Sequence, residues 1–243
     1  MRLLSALFVS EHNCILCDRE LPVPSRYLLC HRCYGTFEVI GDRYCLKCGK
    51  MLFGEEDYCL DCQNFEKHFD RAFSPVAYSA AAAMLVQDLK FHGRRYLAEP
   101  LARWMIDRFL GEEIVVDAVI PVPLHPNRKK ERGYNQSELL ADVIAERLRL
   151  PMITTAVCRE KDTLASTGLE GGRTAREENM KGAFKVLDGD AIKEKVLLVV
   201  DDVITTGTTT SFLSEELKKA GAKKVYVLTY ASAKEKPPLQ EDY

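Results

Sequence analysis

The chain has 243 residues, of which 47% are hydrophobic and 29% charged, and its formal net charge is −2. This length allows one core-forming domain plus a smaller module. A net charge so close to zero excludes an overall electrostatic attraction to nucleic acid or membrane, so any basic binding site must be local.

The N-terminus contains a short apolar run at residues 3–9. A run of seven residues is too short to cross a bilayer. Neither a small-residue cleavage site nor a lipoprotein signal follows it. We therefore predict a short amphipathic helix that packs on the protein, no membrane insertion and a cytoplasmic location.

Eight of the nine cysteines form four C-x-x-C pairs within residues 14–62. Both sulfurs of such a pair can reach one metal ion, and two pairs supply the four thiolates of a tetrahedral zinc site. Disulfides would need an oxidising compartment, which nothing in the sequence indicates, and a redox C-x-x-C pair would not occur four times. We predict two structural Zn²⁺ ions, held by pairs that are consecutive in sequence or by a crossed pairing of the same residues, namely Cys14, Cys17, Cys30, Cys33, Cys45, Cys48, Cys59 and Cys62.

The cysteine-rich module is expected to end near residue 66, which divides the chain into a double zinc ribbon at residues 1–66 and a second domain at residues 67–243. Aromatic residues continue across this boundary, and no Gly/Ser-rich linker separates the two parts. We therefore expect the ribbons to dock against the second domain.

The second domain begins with a predicted short strand at residues 74–79 and two stretches of helical periodicity, near residues 84–89 and 97–109. Gly93 separates the two helical stretches. The cations around it form a basic corner, which we interpret as a solvated surface: Lys90, His92, Arg94 and Arg95.

A second predicted strand, residues 117–123, ends at two prolines and leads into a basic loop at residues 124–136. Gly133 is expected to open the next helix. Cations at the carboxyl end of a strand face the ligand crevice of an α/β fold, and the arginine fork suits phosphate oxygens. The loop cations, Arg128, Lys129, Lys130 and Arg132, thus predict a pyrophosphate contact, with a solvated turn as the alternative.

The stretch at residues 196–210 reads VLLVVDDVITTGTTT. Its five leading apolar residues suit a strand buried on both faces of a parallel sheet. Asp201 and Asp202 follow where such a strand would end, then a hydroxyl-rich turn, then helical spacing of apolar residues. Ligands of this architecture bind beyond the carboxyl ends of the strands. A further strand is predicted at residues 224–230.

The residue types of this turn indicate its ligand. Gly207 can adopt a positive φ and let the backbone approach an anion, and the start of the following helix favours a phosphate. The acid pair can accept hydrogen bonds from vicinal hydroxyls or help to hold Mg²⁺. A phosphate donor beside a diol acceptor describes a ribose 5-phosphate. An ordinary Thr-rich turn is the alternative, but uncovered carboxylates at the end of a buried strand are costly without a ligand.

The segment LLVVDDVITTGTT resembles the phosphoribosyl pyrophosphate (PRPP) signature of type I phosphoribosyltransferases. The segment P-V-P-L-x-x-x-R-x-x-x-R-G-Y-N-Q resembles the ComF family, in which a cysteine-rich ribbon precedes a phosphoribosyltransferase domain. The resemblance implies an α/β fold of the type I phosphoribosyltransferase class, a mostly parallel sheet flanked by helices, and a role in natural competence, the bacterial uptake of DNA. It also implies a competence helicase as a partner.

The resemblance further assigns site residues. The 5-phosphate of PRPP would lie on the turn, its diol on Asp201 and Asp202, and its pyrophosphate on Arg128 and Arg132 with Mg²⁺. The residues of the turn are Thr205, Thr206, Gly207, Thr208 and Thr209.

Residues 159–181 correspond in position to a loop that closes over the site in this family. Ser166 stands where the family has a glutamine, so the contact of that glutamine is not expected here. The remaining family positions are matched by Thr163, Arg176, Asn179, Ala183 and Phe184.

Two kinds of function follow. The first is an enzyme, a phosphoribosyltransferase acting in competence, with conventional nucleobase salvage as an alternative. The second is a non-catalytic protein that binds single-stranded DNA or a partner and responds to PRPP. Cations and aromatics interleave in the ribbons as single-strand binding requires, at Arg26, Tyr27, Arg43, Tyr44, Lys47 and Lys50.

Overall fold

A computed structural model describes residues 13–23, 25–162 and 178–235. The helix predicted at residues 3–9 lies outside these ranges, as do residues 163–177 of the predicted closing loop. Among the positions of that loop, Thr163, Ser166 and Arg176 are therefore outside the described residues.

The described residues form seven strands, and the central sheet uses five of them with every pairing parallel. The strands are β1 (Arg71–Phe73), β2 (Val76–Ala77), β3 (Ala118–Pro121), β4 (Val157–Arg159), β5 (Phe184–Val186), β6 (Val196–Ile204) and β7 (Lys224–Ser232). The order across the sheet is β1-β7-β6-β3, with β2 also pairing to β7. Strands β4 and β5 form a separate antiparallel pair.

Helices connect and cover these strands. They are α1 (His31–Tyr34), α2 (Leu60–Asn64), α3 (Ala80–Phe91), α4 (Ala98–Leu110), α5 (Pro126–Arg132), α6 (Gln136–Leu148) and α7 (Thr208–Lys219), with a 3₁₀ turn at Arg95–Leu97. The two predicted helical stretches near residues 84–89 and 97–109 correspond to α3 and α4. The strand predicted at residues 74–79 is shorter than expected, since only Val76–Ala77 pairs.

The apolar run that begins β6 explains why helices cover both faces of the sheet. Successive side chains of a strand alternate between faces. Leu198 and Val200 belong to the buried cluster that includes side chains of α3, α4 and α6, whereas Leu197 and Val199 belong to the cluster that includes Leu213 of α7. Full burial of each such side chain contributes roughly 1.5–3 kcal/mol. The predicted architecture, a mostly parallel sheet flanked by helices, is confirmed.

The basic segment at residues 124–136 is not a loop throughout, contrary to the prediction. Residues Pro126–Arg132 form α5, whose N-cap His125 accepts a hydrogen bond from the backbone N–H of Asn127. Gly133, with φ 80°, ends α5 instead of opening the next helix. Helix α6 is capped by Asn135, whose side chain accepts from the N–H of Ser137. Proline at the first helical position favoured this extra helix.

The two ribbons pack against the α/β domain, as expected. In the first, the rings of Tyr27, Tyr34 and Phe37 surround Trp104 of α4, with Tyr27 closest at 4.2 Å between ring centroids. The second lies along β1, where the N–H of Ala72 donates to the carbonyl of Lys47 at 2.8 Å. The N-terminal cysteine-rich module is therefore fixed to the α/β domain at two places.

Candidate functional site

The acid pair lies inside β6 and not after it, which corrects the sequence prediction. The pairing of β3 with β6 runs to Pro121 and Val200, so Asp201 and Asp202 are the first residues of β6 beyond its neighbour on that side. The acids are therefore held by the regular backbone of the strand and still lie at the edge where ligands of parallel sheets bind.

Asp201 is buried, and one of its carboxylate oxygens is hydrogen-bonded. Its Oδ1 accepts hydrogen bonds from the hydroxyl of Ser137 at 2.7 Å and from the backbone N–H of Asp202 at 2.9 Å. Burial, followed by the charge of Asp202, raises the pKa of Asp201 well above the usual range of a carboxyl group. The site thus holds a buried acid whose ionised form is costly, which is a common property of functional carboxylates.

Asp202 forms an ion pair with the ammonium of Lys90, which reaches the strand from α3. Burial is the largest single influence on the pKa of Lys90 and would lower it, but the charge and hydrogen bond of Asp202 together with the charge of Asp201 leave that pKa raised. Lys90 is therefore a charged residue of the site. The interpretation of Lys90 as part of a solvated basic corner was wrong, although His92 and Arg94 of that corner do pair near the surface, with Asp88.

The turn at residues 205–209, here called the anion loop, leads directly into α7. Gly207 adopts φ 72°, a conformation that other residues take only with strain, and serves as the N-cap of the helix. The hydroxyls of Thr206 and Thr208 lie 2.8 Å apart, and the hydroxyl of Thr210 donates to the carbonyl of Gly207 at 3.2 Å. The loop combines hydroxyl donors with the positive end of a helix of 12 residues.

A crevice of about 530 Å³ brings these groups together. Its walls include the acid pair, the whole anion loop and the two arginines predicted from the basic segment, Arg128 and Arg132. Arg132 stacks over the ring of Phe91 at 4.9 Å, and burial lowers its pKa. The Nε of Arg128 donates to Asp162 at 3.1 Å. The nine residues that the family resemblance assigns to the ligand site thus line one cavity, whereas Lys129 and Lys130, also predicted from the basic segment, are not among its lining residues.

The lining residues of the crevice that were not predicted for the site include three that carry a charge or contact the acid pair, namely Lys90, Ser137 and Arg159. Ser137 is the second residue of α6, two positions after the N-cap Asn135 and directly after the RGYNQ segment, so its place is indicated once the helix start is known. Arg159 ends β4, and its guanidinium stacks 5.6 Å from the ring of Phe184. Burial lowers the pKa of Arg159. Asn179, a position of the predicted closing loop, also lines the crevice.

The cysteines form two groups, each with its sulfurs within 4.8 Å of one another. The sulfurs of Cys17 and Cys30 are 3.9 Å apart, and those of Cys48 and Cys59 are 3.6 Å apart. Ligands of a tetrahedral zinc site with Zn–S bonds of about 2.3 Å are separated by about 3.8 Å. Both groups therefore fit a structural Zn²⁺ ion, and the consecutive pairing is confirmed, with Cys14, Cys17, Cys30 and Cys33 in one group and Cys45, Cys48, Cys59 and Cys62 in the other.

The interleaved cations and aromatics of the ribbons mostly contact this protein itself. Arg26 and Tyr27 both bind the carboxylate of Asp107 on α4. Lys50 is buried and forms an ion pair with Asp61 at 2.6 Å. The guanidinium of Arg108 stacks over the ring of Tyr44, 4.6 Å from the ring centroid. These residues hold the ribbons together and against the domain, so the pattern does not by itself indicate a nucleic-acid surface.

A search of residues 13–23, 25–162 and 178–235 for bilayer-spanning helices finds none of sufficient length and apolarity.

Comparison with known proteins gives one family match and several relatives. Residues 3–63 match the double zinc ribbon domain family. Competence protein F of Haemophilus influenzae is 30% identical over 91% of this chain and 97% of its own length. Competence protein ComFC of Streptococcus pneumoniae is 31% identical, over 81% and 84% of the two chains. DNA utilization protein YhgH of Escherichia coli K12 is 28% identical, over 75% and 81%.

Among solved structures, the glutamine PRPP amidotransferase of B. subtilis overlaps 58% of this chain and 30% of that chain, with 19% identity and a TM-score of 0.37. The purine phosphoribosyltransferase of Pyrococcus horikoshii overlaps 59% of this chain and 91% of that chain, with 18% identity and a TM-score of 0.32. Structural similarities with TM-scores this low do not support any statement about the function of this protein. The similarity to the competence proteins, in contrast, extends over nearly the full length of both chains, and this protein therefore belongs to the ComF family of competence proteins.

Proposed function

We propose that the crevice binds PRPP and that the protein is a phosphoribosyltransferase acting in bacterial DNA uptake, in the cytoplasm. One observation carries the proposal: a hydroxyl-lined anion loop, a pair of strand-end acids and two arginines line the same cavity. PRPP presents a phosphate, a diol and a pyrophosphate on one ribose, and these need the three kinds of group that the cavity contains.

The anion loop would receive the 5-phosphate. Backbone N–H groups at the start of α7, the helix dipole and the hydroxyls of Thr205, Thr206, Thr208 and Thr209 all favour an anion at this place. The ribose would then extend toward β6, where Asp201 and Asp202 can accept hydrogen bonds from its two hydroxyls.

The two arginines of α5 that line the crevice would receive the pyrophosphate. Arg128 and Arg132 lie on one short helix, four residues apart, and therefore share a face. Partial burial of Arg132 strengthens its attraction for an anion, because the local dielectric is lower than that of water. Mg²⁺ prefers oxygen ligands such as the carboxylates of Asp201 and Asp202 in the crevice. The oxygens of a bound diphosphate would supply most of its other ligands. Magnesium, when bound, would neutralise part of the diphosphate charge.

The transfer reaction asks little of the protein beyond positioning. The bond between C1 of the ribose and the pyrophosphate oxygen breaks, the electron pair leaves with the pyrophosphate, an acceptor nitrogen bonds to C1, and the proton of that nitrogen passes to the pyrophosphate or to water. The arginines stabilise the charge that develops on the leaving group, and the acids favour the positive charge on the ring. A strong general base is not required.

Calorimetric titration tests binding directly. We expect PRPP with Mg²⁺ to bind the wild type, and the double variant Asp201→Asn/Asp202→Asn to lose binding while remaining folded. Melting curves of the two proteins provide the control for folding. Wild-type protein that releases no heat with PRPP, or a double variant that binds as tightly as the wild type, would contradict the proposal.

Transfer itself is tested by release of pyrophosphate in the presence of a panel of nucleobases. Release with one base would identify the acceptor. Binding of PRPP without release across the panel would reject the enzyme and leave a PRPP-responsive binding protein.

That binding protein is the second candidate function, and the names of the relatives, competence and DNA utilization proteins, favour it. Binding to a single strand that weakens steeply with salt would support it. Since the ribbon cations largely have partners within the protein, such binding should survive removal of the charge of Arg26. Absence of salt-sensitive binding would reject the DNA role.

A further inference from the structure

The segment that joins the second ribbon to β1 contacts the anion loop and the first turn of α7 through three successive residues. Lys67 and Phe69 are buried, with exposed fractions of 5% and 0%. The last cysteine of the second group, Cys62, lies five residues before Lys67. A lysine is seldom buried to this extent unless it is paired, so the role of Lys67 requires an explanation.

The ammonium of Lys67 donates a hydrogen bond of 2.6 Å to the backbone carbonyl of Thr206. A trans peptide is planar, and its C=O and N–H point in opposite directions. By fixing the carbonyl of Thr206, Lys67 therefore also fixes the direction of the N–H of Gly207, which is one of the groups available to an anion. A cation on this carbonyl also adds positive charge close to the loop.

Two neighbouring residues hold the same region. The N–H of His68 donates to the hydroxyl of Ser211 at 3.0 Å, in the first turn of α7. The ring of Phe69 lies against Gly207, where a Cβ would be 3.5 Å from two of its carbons. The loop and the first turn of α7 are thus contacted by a continuous segment, residues 67–69, here called the brace.

The brace is in turn anchored by the second ribbon. Phe69 belongs to the same buried cluster as Cys45, Cys48 and Cys59, and the ammonium of Lys47 lies 5.8 Å from the centroid of its ring. A fixed second ribbon therefore restricts the position of Phe69, and with it the position of the brace.

We propose that Lys67 is a positioning residue for phosphate binding, and that the brace transmits the rigidity of the second ribbon to the anion loop. This inference rests on the proposed function insofar as the ligand is a phosphate monoester. Lys67 itself is not among the residues that line the crevice. Its effect is on the conformation of the loop before the ligand arrives.

The test compares Lys67→Met, Lys67→Arg and the control Lys218→Met, which removes a partly exposed lysine of α7 paired with Asp70. The first readout is the affinity for ribose 5-phosphate. Loss of a charged hydrogen bond predicts a decrease of about tenfold or more for Lys67→Met, partial rescue in Lys67→Arg, and no change in Lys218→Met. Affinity of Lys67→Met equal to that of the wild type would overturn the inference.

The second readout needs no ligand. Backbone amide exchange at residues 211–214, the first amides of α7 with acceptors inside the helix, should be faster in Lys67→Met than in wild type or Lys218→Met, while the β6 amides keep their protection. If wild-type protein fails to bind ribose 5-phosphate, the proposed function is rejected, and this exchange measurement still decides on the brace. Exchange at the wild-type rate would reject it.

Ser211→Ala provides an independent variant if Lys67→Met does not fold. It removes the acceptor of the His68 N–H without exposing or burying a charge. We expect faster exchange across the first turn of α7, by a smaller factor than in Lys67→Met. No change in exchange in this variant would also count against the brace.

Discussion

The two ribbons have the same ligand chemistry but different attachments. The first packs on α4 through an aromatic cluster around Trp104 and the contact of Arg26 with Asp107. The second lies along β1 and continues into the brace, which contacts the anion loop. One ribbon is thus attached to the outer layer of helices, whereas the other is attached to the segment that supports the crevice.

Because of this difference, we expect both ribbons to contribute to stability but to differ in their effect on ligand affinity. Each group of four thiolates fixes its own ribbon, because a module of this size has little core of its own. The second ribbon is also connected, through the brace, to the loop that would touch a ligand. Damage to either ribbon should therefore destabilise the protein, but damage to the second should lower ligand affinity as well.

The largest expected effect is the loss of zinc. A site of this kind contributes on the order of 10–16 kcal/mol to the folding of a small module. Cys14→Ser and Cys45→Ser remove matched buried ligands, one from each group. Each should lower the zinc content by about one ion per chain, but Cys45→Ser should weaken PRPP binding more. Metal analysis and calorimetry measure both, and equal losses of affinity would remove the distinction between the ribbons.

Trp104→Ala should cost about 3–5 kcal/mol of unfolding free energy, since it removes a buried aromatic side chain from the core of the first interface. Ligand affinity should stay close to that of the wild type, because this interface does not contact the crevice. Denaturant unfolding and calorimetry provide the two values. A tenfold loss of affinity would show that the first ribbon also supports the site.

Lys90→Met should destabilise the protein by about 3 kcal/mol, because it leaves the buried carboxylate of Asp202 without the ion pair. The effect is local to the crevice and should not change the zinc content. Lys90→Arg, which keeps the charge, should recover part of the loss in a denaturant titration. A Lys90→Met protein as stable as the wild type would show that the ion pair contributes nothing.

The smallest expected effect is on the pH dependence of stability. Because the folded-state pKa of Asp201 is raised, this group binds a proton more tightly in the folded protein than in the unfolded chain. Wild-type stability should therefore fall as pH rises from the ordinary carboxyl pKa to the raised value. The Asp201→Asn variant has no carboxyl group to titrate at this position. As pH rises from the ordinary to the raised carboxyl pKa, its stability relative to wild type should therefore increase by about 1 kcal/mol or more.

Melting curves from pH 4 to pH 8, roughly the span between an ordinary and a raised carboxyl pKa, measure this difference. The same substitution should weaken PRPP binding, so stability and affinity should change in opposite directions. A variant whose stability relative to wild type is independent of pH would contradict the assignment of a raised pKa to Asp201.

Features with a strong local cause could be predicted from the sequence. The continuous apolar run of residues 196–200 indicates a strand buried on both faces whatever surrounds it, and the spacing of the cysteines indicates metal groups directly. The anion loop was predictable because its chemistry depends on a few adjacent residues. Even there, the end of the strand was misplaced, since pairing with β7 extends β6 through both acids.

Features that depend on distant contacts could not be predicted. Lys90 resembles any surface lysine in a basic segment, and only the packing of α3 beside β6 brings it to Asp202. The bond from Lys67 to Thr206 joins residues 139 positions apart, and no local pattern encodes it. The cations of the ribbons show the reverse case, because a pattern compatible with single-strand binding also makes contacts within the protein.

The most direct test of the central claim is a crystal structure of the protein with PRPP and Mg²⁺. The account predicts the 5-phosphate on the N–H and hydroxyl groups of residues 205–209 and the ribose hydroxyls within hydrogen-bonding distance of Asp201 and Asp202. A phosphate bound elsewhere, or a ribose turned away from both acids, would contradict it.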